Sequence, residues 1–185
     1  MLHENIKTVR EFLELTSTQV ASLLKINVYL YRKYEAGAID ISIDLPLLLS
    51  IAYKVPITFF ISNTVTYHLC ANNTNIQFLY RMPIKERVLK MYQNLFDSSP
   101  YPCKKVNYRM ISAIRKEYLQ RLSKNLLHFR ETKGIDISTV AEVLNIKSED
   151  YLPLEKGIYF PLVRYVVTLA DFYQIDIQVF IEKSV

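Results

Sequence analysis

The chain is predicted to be all-α: two five-helix domains joined by a helical linker. Three observations predict this. Apolar residues recur at helical spacing, while the alternation of a half-buried strand is rare. Half of the 185 residues are hydrophobic, with 3 Gly and 7 Pro, so a packed core can form and disorder is not expected. Residues 6–61 also align without a gap onto residues 126–181, at an offset of 120, with 14 of the 56 positions identical. Two copies of this length make two small domains, not a solenoid. The boundaries follow as 1–66, 67–121 for a basic linker, and 122–185.

In the first copy a helix is expected over residues 5–14, with Ile6, Val9 and Leu13 on one face. Thr16 suits the N-cap of a second helix, whose Val20, Ala21, Leu23 and Leu24 face inward. Lys25-Ile26-Asn27 makes a short turn. A third helix, residues 28–35, stops before Gly37, a suitable left-handed residue. Ser42 caps a fourth helix over 43–53, with Pro46 near its start, where the missing N–H costs least. Val55, Ile57 and Phe60 begin a short fifth helix or an apolar tail.

The linker opens with the polar run Asn72-Asn73-Thr74-Asn75. An amphipathic helix over 84–96 follows, broken by Asp97-Ser98-Ser99-Pro100. A second linker helix, 106–121, has no strong breaker between it and the first helix of the second copy.

Charge is unevenly spread. Residues 1–61 hold six basic and six acidic side chains, 62–121 hold ten against three, and 122–185 hold seven against nine. The positive field therefore sits between the copies, and Lys104, Lys105, Arg109, Arg115, Lys116 and Arg121 form either a DNA-backbone contact or a solvated face.

Several classes find no support. With three glycines there is no phosphate-cradling loop, and no catalytic constellation can be named. His68, Cys70, Cys103 and His128 match no usual ligand spacing, so neither metal nor cofactor is expected. Two cysteines without CxxC spacing suit a reducing compartment. Residues 1–5 lack a signal-peptide pattern, and the most apolar stretch, 43–61, carries Asp44, Lys54 and two prolines. A cytoplasmic protein with no membrane span is the expectation.

Arg10-Glu11, Thr16-x-x-x-Val20-Ala21-x-x-Leu24-x-Ile26 and Tyr31-x-x-Tyr34-Glu35-x-Gly37 carry a resemblance to the lambda-repressor-like, or XRE, family of helix-turn-helix transcriptional regulators. It covers about 56 residues per copy. The resemblance implies two lambda-repressor-like domains, with the third helix of the first lying in the major groove of double-stranded operator DNA. Asn27, Val28, Tyr29 and Lys33 then take base-reading positions, Arg32 points outward beside them, and Ser17 and Thr18 grip phosphate. Lys33 can bond the edge of guanine and Val28 can meet a thymine methyl. The pairs Arg10/Glu35 and Arg130/Glu155 are implied to be structural ion pairs.

The first copy departs from the family pattern at Ser17, usually Gln, at Lys25, usually Gly, and in its aliphatic outward residues Val28 and Leu30. The second departs further. Glu149 and Asp150 replace Tyr29 and Leu30, Pro153 replaces Lys33, and Ile137 replaces Ser17. Carboxylates there repel phosphate, and Pro153 is expected to distort or shorten its helix. The second copy thus reads as a degenerate domain kept for a protein contact, whether homodimerisation, another protein or a small regulatory ligand. A homodimer with reading helices about 34 Å apart would read a palindrome. The expected function is a DNA-binding regulator, of repressor type. The alternative is an interaction module, such as an antirepressor or adaptor, that has lost DNA binding.

Overall fold

The computed structural model describes residues 2–53, 57–61 and 108–182. The 84–96 helix, the Asn72–Asn75 run, Lys104, Lys105, His68, Cys70 and Cys103 lie outside the described residues. The described chain is mostly helical, and its extended pairing amounts to one antiparallel bridge. Contacts divide the chain into two compact units, residues 1–39 with 49–105, and residues 40–48 with 106–185.

The first unit contains α1 (Leu2–Phe12), α2 (Ser17–Leu24), α3 (Val28–Glu35), the end of α4 (Asp44–Tyr53) and α5 (Thr58–Ile61). The expected inward positions Ile6, Val9, Leu13, Val20, Ala21, Leu24 and Tyr31 are all buried, and Leu23 is half-buried. α1 starts three residues earlier than its apolar pattern suggests. One use of the extra turn is His3, whose imidazole packs 3.2 Å from where a Cβ on Gly37 would stand. Gly37 also has φ +66°, so glycine serves there twice. α2 begins with a capping box: Thr16 Oγ1 accepts from the Gln19 N–H at 3.2 Å, and Gln19 Oε1 accepts from the Thr16 N–H at 2.8 Å.

The second unit contains α6 (Tyr108–Thr132), α7 (Ile137–Val143), α8 (Ser148–Glu155), α9 (Val163–Tyr173) and α10 (Ile177–Glu182). The second linker helix and the first helix of the second copy are one 25-residue rod, α6, since no breaker separates them. Ile111, Tyr118, Leu122 and Leu126 run along its buried face. Phe129 stacks on Phe180 at 5.4 Å between centroids, closing α6 against α10.

The copies repeat down to single bonds. Asn5 Nδ2 donates to the Phe60 carbonyl at 3.1 Å, and Asn125 Nδ2 donates to the Phe180 carbonyl at 2.8 Å. Each tethers its copy's first helix to its last. Left-handed backbone recurs at the same offset: Glu14 with Gly134, Lys25 with Asn145, and Gly37 with Gly157. Asn and Gly tolerate this conformation, whereas Lys25, at φ 55°, and Glu14 do not do so readily.

Lys25→Gly therefore removes roughly 1–2 kcal/mol of local strain, offset by about 0.4–1 kcal/mol from a freer unfolded chain. Denaturant unfolding is expected to show a net gain of about 0.5–1 kcal/mol, and a smaller one for Asn145→Gly. A loss of stability in Lys25→Gly would contradict the strain assignment.

Candidate nucleic-acid interface

The site is built on α3. Asn27 starts it, its side-chain oxygen accepting from the N–H groups of Tyr29 at 2.8 Å and Leu30 at 3.4 Å. That oxygen has a structural task as the cap. Tyr31 anchors the inner side, so the residues before and after it turn outward. Tyr29 is 67% exposed and Leu30 37% exposed. Arg32 is exposed, and Val28 and Lys33 are half-buried. The Lys33 ammonium stands 4.6 Å from the Tyr29 ring centroid. The i, i+4 spacing of the two permits this, and the contact holds the lysine along the helix. Thr18 is exposed in the first turn of α2. Ser17 beside it is half-buried, and its hydroxyl donates to the Glu35 carboxylate at a long 3.4 Å.

What holds α3 in place is the Arg10–Glu35 pair. Arg10 Nε donates to Glu35 Oε1 at 2.6 Å and Nη2 to Oε2 at 3.1 Å, and Nη1 reaches the Leu15 carbonyl at 2.9 Å. One side chain thus ties the end of α3 to α1 and to the α1–α2 turn. The pair is well buried, with side chains 12% and 8% exposed. The hydrogen bond to Glu35 raises the Arg10 pKa against the opposing effect of burial. Removing either partner leaves a buried charge alone, at roughly 3–5 kcal/mol.

The second copy reproduces this clamp. Arg130 Nε meets Glu155 Oε1 at 2.6 Å, Nη2 meets Oε2 at 3.1 Å, and Nη1 meets the Ile135 carbonyl at 3.1 Å. Its surface differs. Glu149 and Asp150 are exposed where Tyr29 and Leu30 stand in the first copy. The cleft between α7 and α8 is lined by Glu142, Asn145, Lys147 and Glu149, among others. Asp136 caps α7, accepting from the Thr139 N–H at 2.7 Å, a bond that lowers its pKa.

Pro153 does not shorten α8, one of the two effects expected of it. α8 runs Ser148–Glu155, the same eight residues as α3 at the 120-residue offset. The proline removes one bond, to the carbonyl of Glu149, which is an exposed residue that water can reach. Meanwhile buried Tyr151, Leu154 and Glu155 hold the helix to the core.

Two of the linker cations are engaged within the chain. Arg115 donates to both carboxylate oxygens of Asp44, at 2.7 and 2.6 Å. The Arg121 guanidinium lies 5.1 Å from the Tyr118 ring centroid. Lys116 is exposed. Sequence reasoning missed the Asn5 and Asn125 tethers, because the aligned repeat starts one residue after them. It also missed the Arg115–Asp44 pair, which no local spacing signals.

Around each clamp sit buried tyrosines. Burial, with help from Glu35, pushes the Tyr31 hydroxyl far above its usual pKa. Burial and Glu155 do the same to Tyr151, and burial pushes Tyr173 up to about 12. A raised folded-state pKa means the folded protein keeps protons that the unfolded chain releases near pH ~10. This stabilisation is complete below pH ~10 and is lost as pH rises beyond it, by up to about 1.4 kcal/mol per pH unit for each retained proton. Urea unfolding followed with tyrosinate absorbance should show a subset of the 14 tyrosines ionising only as the fold is lost. Ionisation of all of them near pH ~10 with the helices intact would contradict the burial argument.

Comparison with protein-family models, with curated proteins and with solved structures found no match to this chain.

Proposed function

We propose that the protein is a sequence-specific DNA-binding transcriptional regulator, of repressor type, that reads double-stranded DNA with α3 of its first copy. The observation carrying this reading is the contrast between the copies. The clamp is the same in both, while the outward residues change from Tyr29, Leu30, Arg32 and Lys33 to Glu149, Asp150, Leu152 and Pro153. The outer side of α3 thus carries two cations that can meet phosphate, where the matching side of α8 carries two carboxylates that repel it.

Arg32 is the leading contact to base or phosphate, since it is exposed at the middle of the helix. Lys33 must leave the Tyr29 ring to reach a guanine edge, or act as a phosphate contact from where it stands. Ser17 and Thr18, at the start of α2, supply hydroxyls and backbone N–H groups for phosphate. Asn27 contributes mainly by capping α3. The second copy serves a protein contact.

The rival reading is an interaction module, an antirepressor or adaptor. The exposure of Tyr29 and Leu30 favours it, since an aromatic and an aliphatic side chain at one end of α3 also suit a protein partner.

Mobility shifts with a DNA selected from a random pool test the proposal. Arg32→Ala and Lys33→Ala are each expected to weaken binding by roughly 1–3 kcal/mol if they meet a base. If they meet phosphate, the log–log salt slope should fall by about 0.9 for each phosphate that is no longer neutralised. Unchanged binding in both variants would remove α3 as the reader. Failure to select any DNA at low salt, with capture of a defined protein through Tyr29, would favour the rival.

A further inference from the structure

Residues 40–44 read Asp-Ile-Ser-Ile-Asp, an alternation that fits a short extended strip. The strip lies within the second unit, against residues 160–164. Ser42 forms an antiparallel bridge with Leu162, its own counterpart at the 120-residue offset. The Ile43 N–H donates to the Pro161 carbonyl at 3.0 Å, and the Val163 N–H donates to the Ile41 carbonyl at 2.8 Å. Exchange each residue for its counterpart and one bond becomes the other. This is the signature of a two-fold, self-complementary contact, which is ordinarily made between two subunits. Ile41, Ile43, Pro161 and Val163 are all buried.

We infer that strips 40–44 and 160–164 form a dimer-type interface closed within a single chain, the strip of the second copy taking the part that a second subunit's strip would take. The strip ends favour this arrangement. Asp40 pairs with Arg164 at 3.3 Å, and Asp44 is held by Arg115, whose guanidinium also lies 5.8 Å from the Phe160 ring centroid. Were two first-copy strips from different chains to pair in the same register, Asp40 of each would face Asp44 of the other. Like charges directly opposite are unfavourable, so the first strip is matched to the second and not to itself. A tethered partner also meets its site at an effective concentration on the order of millimolar, above that of free chains in dilute solution.

One consequence rests on the DNA-reading proposal: each molecule carries one reading helix and recognises a single half-site, not a palindrome. The contact itself does not depend on DNA and is tested without it. Ser42 and Leu162 form a non-hydrogen-bonded pair, where Cα atoms stand about 4.5 Å apart, within disulfide range. The full-length double variant Ser42→Cys/Leu162→Cys is prepared in light and heavy nitrogen, mixed unfolded, refolded together and oxidised, and the linked peptides are mapped by mass. The expected result is a 42–162 link whose two peptides are both light or both heavy. Peptides of mixed label, or no such link, would overturn the inference. Should the variant fail to fold, the unmodified protein is weighed by light scattering: 21.7 kDa is expected, and twice that mass would overturn it.

Discussion

A single arginine in each copy fixes the placement of its third helix, on which the candidate site depends. Arg10 and Arg130 each join three separate pieces of chain: the first helix that carries them, the carbonyl of the following turn, and the glutamate closing the third helix. A short eight-residue helix has little stability of its own. Pinned at its end by a two-pronged, well-buried ion pair and by a fully buried tyrosine in its middle, it has one orientation. That fixed orientation is what allows its outer surface to change without loss of the fold. The partners must remain together, because a half-clamp is worse than none.

The two copies display that freedom. Inside, the bond lengths of the clamp and of the asparagine tethers match to within a few tenths of an ångström, and Tyr31 and Tyr151 are both fully buried. Outside, they part company. One outer face of the third helix carries an aromatic ring, an aliphatic side chain and two cations, while the other carries two carboxylates and a proline. The strips at 40–44 and 160–164 have diverged in a complementary sense, an acid in one matched to an arginine in the other. The two copies thus agree in the core and differ on the outer face of the third helix and along the pairing strip.

The fold was largely legible because its determinants are local or repeated. α3 fell on residues 28–35 as its tyrosine spacing and Gly37 implied, and the inward set Ile6, Val9, Val20, Ala21 and Leu24 is buried. The ends were less legible. α1 begins at Leu2, and its first turn carries His3, which packs beside Gly37, a contact that no cap residue announces. Pro153 misled, since the rule against proline in helices weighs one missing bond without weighing the tertiary contacts that hold α8. In the candidate site, Tyr29, Arg32 and Lys33 were identified by position, but the lysine's place over the ring and the cap made by Asn27 needed coordinates. The strip at 40–44 was hidden for a plainer reason: its alternation has meaning only once Arg115, Arg164 and Leu162 are known to face it.

On the proposed function, nucleic acid meets the outer face of α3 and leaves the corresponding face of α8 alone. Amide resonances of the intact protein, followed while a selected DNA duplex is added, test this directly. Signals from α2 and α3, Ser17 to Glu35, are expected to shift or broaden in proportion to bound DNA, while those of α7 and α8, Ile137 to Glu155, hold still. Equal perturbation of both copies, or changes confined to the second, would contradict it.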